Sequence, residues 1–321
     1  MGGNKQLGLI VRVGAGVTLI ALMLRMVGWS ELLEHWERFH AGWYAVAVGL
    51  IFAHYLLQSI MLRIMLKPHD IHTKARRIFR LMIVSNFFGI FLPGGIGPDM
   101  VLCYNMARSS EKKEHVLSAV IFMRIAVLFI MSCTALVFSF HPAADAGTKL
   151  ATALIVCAFI AYYVVMANQH TLAMARYLLQ WLNRYAVTRL LYKTYFALSD
   201  HGKDLRRLGK ILPFLVASAI IKIITDYYVA LALGIDIPLL YFFIFIPVIT
   251  LIAAIPLTFA GLGVREGSFM GFFALAGVPA DEALAISLLS FTLVILTAAI
   301  GGVLYVAGGV ITQQPPPSTQ K

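Results

Sequence analysis

Residues 91–99 read FLPGGIGPD, and this helix-breaking stretch decides how the rest of the chain can fold. It contains two prolines, three glycines and one carboxylate, and the sequence around it is strongly apolar. A second break, residues 256–266 with the sequence PLTFAGLGVRE, lies in similar surroundings. A membrane helix satisfies its own backbone hydrogen bonds, so an interruption within the bilayer needs protein or water around it. The two breaks therefore frame both the fold and the function.

The composition is that of a polytopic membrane protein. Hydrophobic residues make up 60% of the 321 residues and charged residues 13%, against about 45–50% and about 25% in soluble domains. The net charge of +11 is carried mainly by loops between apolar runs. The positive-inside rule and attraction to anionic lipids explain this charge, and no nucleic-acid partner is expected. The three cysteines show no paired spacing, so neither a disulfide framework nor a metal site is predicted.

Six apolar segments are predicted to cross the bilayer completely. They are residues 8–28, 41–66, 115–140, 149–168, 213–234 and 284–310, each near the ~20 residues needed to span ~30 Å. Basic loops at 67–80 and 169–212 are expected in the cytoplasm, and the acidic segments 29–40 and 281–282 outside. This places the chain in the cell (inner) membrane with both termini in the cytoplasm.

Two further apolar segments are predicted to be re-entrant hairpins. The first has arms 81–92 and 99–108 and a tip at 93–98; both of its flanks are basic, and a full crossing would put one of them outside. The second has arms 239–255 and 267–278. Its latter arm of about 12 residues is too short to span a bilayer at about 1.5 Å per residue.

The order span, hairpin, span thus occurs twice, in residues 41–140 and 213–310, with opposite orientation. The halves are joined by span 149–168 and by a basic amphipathic cytoplasmic segment, 169–212. The predicted fold is an all-α polytopic membrane protein with about six full transmembrane helices and two re-entrant hairpins in an inverted repeat. It forms one domain over residues 1–312, followed by a short disordered tail at 313–321. Broken helices that meet near the midplane in inverted repeats are typical of alternating-access transporters.

The candidate substrate-binding residues are helix-breaking glycines and a proline of the two breaks, together with the charges at the breaks and within the spans. They are Pro93, Gly94, Gly95, Gly97, Asp99, Arg124, Lys222, Asp226, Gly261, Gly263, Arg265 and Glu266. A charge at the bilayer centre costs at least about 2.5–3.5 kcal/mol on insertion scales, so such groups face a cavity or one another.

Two interpretations of these charges are open. In the functional one, Arg265 takes a lipid phosphate, and Asp99 or Glu266 takes an amino headgroup or a proton. In the structural one, Arg265 and Glu266 cap the broken helices and pair with Asp99. Lys222 and Asp226 are spaced i,i+4, which allows an ion pair on one helix face as well as contact with a substrate.

Two motifs resemble those of the lysylphosphatidylglycerol synthase transmembrane family, which is also called flippase-like. Residues 92–99, LPGGIGPD, followed by Tyr104, are similar to the first motif of the family, although Pro98 and Leu102 replace its usual Gly and Arg. Residues 261–267, GLGVREG, are similar to the second. The resemblance covers nearly the whole chain and implies a protein that moves polar-headed lipids between leaflets. The best-known members carry a soluble lysine-transferring domain, so this chain is expected to be the flippase part alone.

The predicted function is therefore a lipid transporter that moves polar-headed phospholipids between leaflets through a cavity between the hairpins. It is not expected to be an enzyme, and no cofactor or metal is predicted. A membrane-embedded enzyme or accessory subunit acting on phospholipid or polyprenyl-phosphate headgroups is the alternative, with Asp99 and Glu266 as acid and base. A transporter of soluble small molecules is a third. Membrane phospholipids are the expected partners, and a homodimer and a separate lipid-modifying enzyme stay open.

Overall fold

The protein is an α-helical membrane protein. The computed structural model describes residues 39–89, 97–108, 110, 112–141, 146–167, 204–254 and 263–308, and no strand occurs in these ranges. Their α-helices are α1 (Ala41–Leu66), α2 (Ala75–Gly89), α3 (Gly97–Arg108), α4 (Lys113–Ser139), α5 (Ala146–Ala167), α6 (Leu205–Ala232), α7 (Leu239–Ala254), α8 (Val264–Ala274) and α9 (Ala280–Gly308). The predicted all-α polytopic class is confirmed.

Several predicted segments lie outside the described residues. These are the first span at 8–28, the residues at the two hairpin tips (93–96 and 255–262), most of the basic segment 169–212 and the tail at 313–321.

Four helices in the described ranges are long and apolar enough to cross a membrane: Ala41–His69, Lys113–Ser139, Arg206–Ala232 and Ala280–Ala307. They coincide with four of the six predicted spans, and α5 covers residues 149–167 of a fifth. Helix α6 begins at Leu205, earlier than the predicted start at 213, because its basic first turns continue the helix beyond the apolar run. Asp204 caps this extension by accepting a hydrogen bond from the backbone N–H of Arg207 at 3.0 Å.

Helices α2 and α3 pack against each other, and the chain enters and leaves the pair at the same end. Gly89 lies so close to Pro98 that a Cβ on Gly89 would come within 2.5 Å of the proline ring. At the other end of the pair, where the chain enters α2 and leaves α3, Lys112 Nζ donates a hydrogen bond to Asp70 Oδ2 at 3.0 Å. Since Asp70 precedes α2 and Lys112 follows α3, this contact joins the two flanks of the predicted first hairpin.

Helices α7 and α8 form a second packed pair with an aromatic core. The Phe242 and Phe273 rings lie 5.1 Å apart, and the Phe245 and Phe273 rings 5.4 Å apart. All three phenylalanines are fully buried. Edge-to-face ring packing of this kind adds to the burial of apolar area, so α7 and α8 are firmly joined.

The second half of the chain repeats the helix spacing of the first. Helix α1 starts at residue 41 and α6 at 205, a separation of 164 residues, and α2 and α7 start at 75 and 239, the same separation. The starts of α3 and α8, 97 and 264, and of α4 and α9, 113 and 280, are each 167 residues apart. Contacts correspond as well, because α2 packs on α9 and its counterpart α7 packs on α4.

Helices α1 and α6 lie together at the centre of this arrangement and run antiparallel. The backbone N–H of His40 donates to the carbonyl of Ala232 at 2.7 Å, at the end where α1 begins and α6 finishes. Near the same end the rings of Trp43 and Tyr228 lie 5.5 Å apart. The two halves therefore meet along α1 and α6, with the charged residues of the spans distributed around this contact.

Candidate functional site

The middle of α1 is joined to α6 by a buried histidine. His54 Nδ1 lies 3.0 Å from the carbonyl oxygen of Ser218 and 2.9 Å from its Oγ. The other ring nitrogen, Nε2, lies 2.9 Å from the side-chain amide nitrogen of Gln58. A neutral ring with its proton on Nδ1 satisfies the carbonyl contact as a donor and the Gln58 contact as an acceptor. His54 therefore joins α1 to α6 at this point.

One helical turn beyond Ser218, the predicted ion pair between Lys222 and Asp226 is present. Asp226 is 2% exposed and also accepts a hydrogen bond from Ser290 Oγ of α9 at 2.9 Å. The Lys222 side chain is 30% exposed. The carboxylate is thus enclosed by protein, whereas the ammonium group lies at the edge of the enclosed region.

Asp99 of α3 faces Arg124 of α4. The Nε of Arg124 lies 3.8 Å from Asp99 Oδ2, which is close enough for an ion pair but too far for a hydrogen bond. Asp99 Oδ2 has no hydrogen-bond partner among the described residues. The two side chains are 30% and 35% exposed, although the facing Oδ2 and Nε atoms are themselves buried, so this ion pair is loose and only partly exposed.

Arg265 and Glu266 at the start of α8 are held far more firmly. Arg265 donates to Ser287 Oγ at 3.2 Å, to the Ser287 carbonyl at 3.0 Å and to Glu266 Oε1 at 2.6 Å. Its guanidinium also lies 5.0 Å above the ring of Phe291. Glu266 is completely buried, and its Oε2 accepts the backbone N–H of Gly263 at 2.5 Å. Gly263 has a φ of +82°, a conformation that glycine adopts without strain.

The structure therefore separates the two acidic residues that the sequence had treated alike. Asp99 and Glu266 are both the third residue of their helices, α3 and α8. Glu266 caps its own helix and pairs with the adjacent Arg265, as the structural interpretation expects. Asp99 pairs with Arg124 on a neighbouring helix, and not with Arg265 or Glu266 as that interpretation had it.

The open charges come from different helices and surround the middle of α1. His54 interacts electrostatically with Lys222, Arg124 and Asp226, and the adjacent Tyr55 interacts with Asp99 and Arg124. Arg124 lies 11 residues into α4, which places it about 17 Å along the helix at about 1.5 Å per residue. An anion and two cations that are each about one third exposed at this depth form a polar site inside the membrane protein.

The remaining candidate residues fall into two groups. Gly97 is the buried first residue of α3, and Gly263 is the N-cap of α8. Pro93, Gly94, Gly95 and Gly261 lie outside the described residues. No group of three or more potential metal-ligating side chains forms in the described ranges.

Sequence reasoning missed the neutral residues that complete the site. Ser287 and Ser290 of α9 bind Arg265 and Asp226, and Gln58 and Ser218 bind His54. The spacing of the two serines, three residues apart on one helix, was the available signal, since it puts both hydroxyls on one face.

An open groove of about 500 Å³ lies along α8. Its lining includes Gly263, Gly267 and Gly271 at intervals of four residues, together with Phe272 and Leu275. Nothing lies within 4 Å of a Cβ built on Gly271, so this part of the small-residue face is uncovered.

The family model described as the lysylphosphatidylglycerol synthase TM region matches residues 9–302. The chain belongs to this family. No curated protein and no solved structure matches the chain.

Membership of the lysylphosphatidylglycerol synthase TM family confirms the resemblance that the two motifs carry. It places the chain among multi-pass membrane proteins related to lipid modification or lipid flipping. The match extends from the first predicted span to α9, so it includes both predicted hairpins and all the charges described above. The family motifs therefore coincide with the starts of α3 and α8, the two helices that carry Asp99 and Glu266.

Proposed function

We propose that this member of the lysylphosphatidylglycerol synthase TM family moves polar-headed phospholipids between the two leaflets of the cell membrane. The observation that carries the proposal is the open polar site around the middle of α1, where Asp99, Arg124 and Lys222 are about one third exposed. Each intramembrane charge costs about 2.5–3.5 kcal/mol or more. Ion pairs with a purely structural role could be fully enclosed by protein. A passing lipid headgroup needs charged groups that it can reach, and the partial exposure of these side chains provides this.

The contents of the site suit a phospholipid headgroup. A guanidinium presents several N–H donors in a plane and binds phosphate oxygens in pairs, while an ammonium binds them as a point charge. Arg124 and Lys222 provide one group of each kind. Asp99 offers an acceptor for an amino group. The fixed contacts of Arg265 make it the clamp between α8 and α9, so Arg124 takes over the phosphate-binding role first expected of Arg265.

The repeated helix order supports movement between two access states. The α2–α3 and α7–α8 pairs would be re-entrant hairpins from opposite sides of the membrane, and α1 and α6 would form the contact between the halves. Inverted repeats with broken helices provide two related conformations, each open to one side. No nucleotide-hydrolysing motif occurs in the sequence, so a lipid gradient or an ion gradient would supply any driving force.

Leaflet exchange of a labelled phospholipid in liposomes tests the function. Wild-type protein is expected to speed exchange over empty liposomes, and Arg124→Gln to slow it by about 10- to 100-fold, since a hydrogen bond to a charged group contributes about 1.5–3 kcal/mol. Lys210→Gln, which removes an exposed cation from the early part of α6, is the matched control and should leave exchange unchanged. Exchange no faster than in empty liposomes would contradict the proposal.

The same samples distinguish a transporter from an enzyme. Mass spectrometry of the lipid after exchange should show an unaltered headgroup. A chemically changed headgroup would instead support the alternative of a membrane-embedded enzyme acting on phospholipid or polyprenyl phosphate.

Cysteine labelling tests the orientation of the hairpins. In a protein without its three native cysteines, Asp281→Cys should react with an impermeant reagent from outside the cell, and Arg76→Cys should not. Labelling of position 76 from outside would contradict the cytoplasmic loop and the first re-entrant hairpin with it.

A further inference from the structure

Helices α3 and α8 occupy equivalent places in the two halves but are attached to their neighbours very differently. Helix α8 is fixed to α9 by two hydrogen bonds from Arg265 to Ser287, and the buried Glu266 closes its first turn. Helix α3 faces α4 at the corresponding depth through the loose ion pair of Asp99 and Arg124. At this point the second half is therefore joined by hydrogen bonds, whereas in the first half Asp99 and Arg124 form only a loose ion pair.

In the loose ion pair, the Asp99 carboxylate occupies the position beside Arg124 that a phosphate could take. Asp99 Oδ2 points at Arg124 but stands 3.8 Å from its Nε, and forms no hydrogen bond within the described part of the chain. Guanidinium binds carboxylate and phosphate in the same bidentate manner, so the two compete for one position. A phosphate oxygen at hydrogen-bond distance would contact Arg124 more closely than Asp99 does.

We propose that Asp99 is an internal competitor for a phosphate-binding site at Arg124, so that the phosphate of an entering ligand displaces Asp99 and releases α3 from α4. This inference rests on the proposed function and adds a release step to it. When Asp99 returns to Arg124, its negative charge opposes that of the phosphate and expels it. The ligand class is a phosphate group, either esterified in a lipid headgroup or as the free inorganic ion.

Removing the competitor should change binding and transport in opposite directions. Asp99→Asn keeps the shape of the side chain but cannot neutralise Arg124, so phosphate should bind about three- to ten-fold more tightly. Lipid exchange should become slower, because the carboxylate that expels the bound phosphate is absent. An Asp99 that merely contacted a lipid amino group would, when lost, slow exchange without tightening the binding of phosphate.

Binding is measured on the purified full-length protein in detergent by isothermal titration. One arm uses inorganic phosphate, and the other uses short-chain dihexanoylphosphatidylglycerol. Tightening by Asp99→Asn in both arms identifies the phosphate group as the ligand. Tightening only in the lipid arm assigns the site to a lipid headgroup. Arg124→Gln should abolish binding in both arms.

Two control variants make the test specific. Asp70→Asn removes the same charge from an exposed loop and should not tighten binding. Equal tightening in this control would show that the effect comes only from the change in net charge. Asp99→Ala repeats the experiment with a smaller side chain, and its melting temperature reports whether the fold is kept.

Unchanged or weaker binding of both ligands, inorganic phosphate and the short-chain lipid, in a folded Asp99→Asn protein would overturn the inference even where wild-type exchange is fast. Absence of wild-type exchange together with tighter binding in Asp99→Asn would contradict the proposed transport and leave the competitor site standing. Failure of the two proposals is therefore distinguishable.

Discussion

The ion pair between Lys222 and Asp226 gives a prediction in which the two single substitutions have very different costs. Asp226 is 2% exposed, so Lys222→Met leaves a buried carboxylate that keeps only its hydrogen bond from Ser290. Breaking a buried pair in this way costs about 3–5 kcal/mol. Asp226→Leu leaves Lys222, whose side chain is 30% exposed and can turn toward the open site. That loss should be smaller than the loss from Lys222→Met, because the ammonium group is not fully enclosed by protein.

The double variant Lys222→Met/Asp226→Leu completes the cycle. Replacing a buried ion pair by apolar residues of similar volume is often neutral or stabilising, so the double variant should be close to wild type in stability. The melting temperatures of wild type, the two single variants and the double variant are compared by thermal unfolding in detergent. Lys222→Met should have the lowest melting temperature by a clear margin. Equal melting temperatures for the two single variants, or a double variant as unstable as Lys222→Met, would refute the reasoning.

The same four proteins separate a structural role from a functional one. A double variant with wild-type stability and wild-type lipid exchange would make the pair structural. Wild-type stability with exchange slowed like that of Arg124→Gln would make Lys222 part of the headgroup site.

Three further predictions concern packing, capping and the clamp on α8. Gly301→Ala should destabilise the protein by about 1–3 kcal/mol, because its Cβ would come within 2.1 Å of a backbone oxygen of α2; Gly49→Ala, where nothing lies within 4 Å, should be tolerated in the same thermal assay. The hydrogen bond from the Arg207 backbone lowers the pKa of Asp204, so the cap on α6 should contribute stability above about pH 3.9, the unperturbed value, and lose it as the pH falls through the lower folded-state pKa. An Asp204→Ala protein should show no such loss when melting is followed against pH. Arg265→Lys should lower the melting temperature, because a lysine lacks the planar fork of N–H donors with which the guanidinium binds both the hydroxyl and the carbonyl of Ser287 on α9. An unchanged melting temperature would show that α8 is held by other contacts.

Local patterns in the sequence predicted the helical class and most helix positions. Spans such as 41–66 and 115–140 were predictable because a bilayer demands about 20 apolar residues in a row, and α1 and α4 coincide with them. The ion pair of Lys222 and Asp226 was predictable for a similar reason, since both residues lie on one helix and the i,i+4 spacing alone brings them together.

Partners on different helices were not predictable in this way. The depth of Asp99, Arg265 and Glu266 could be estimated from their distance to the ends of the apolar segments. Which of them pair depends on how the two halves pack, and that packing assigned Arg124 to Asp99 and Ser287 to Arg265. A serine within an apolar run gives no distinct sequence signal. Ser287 and Ser290 nevertheless supply the hydrogen bonds that hold Arg265 and Asp226 in place.

The hydrogen bond between His54 and Ser218 bears on the symmetry of the two halves. These residues are 164 residues apart, the same separation as the starts of α1 and α6, so they occupy equivalent positions in the two halves. The next helical turn repeats this relation, with Gln58 on α1 and Lys222 on α6 also 164 residues apart. Each pair of equivalent positions holds two different residues, so the helix spacing is repeated while the side chains at the contact are not. The polar site along α1 and α6 is therefore asymmetric, although the helix order around it repeats.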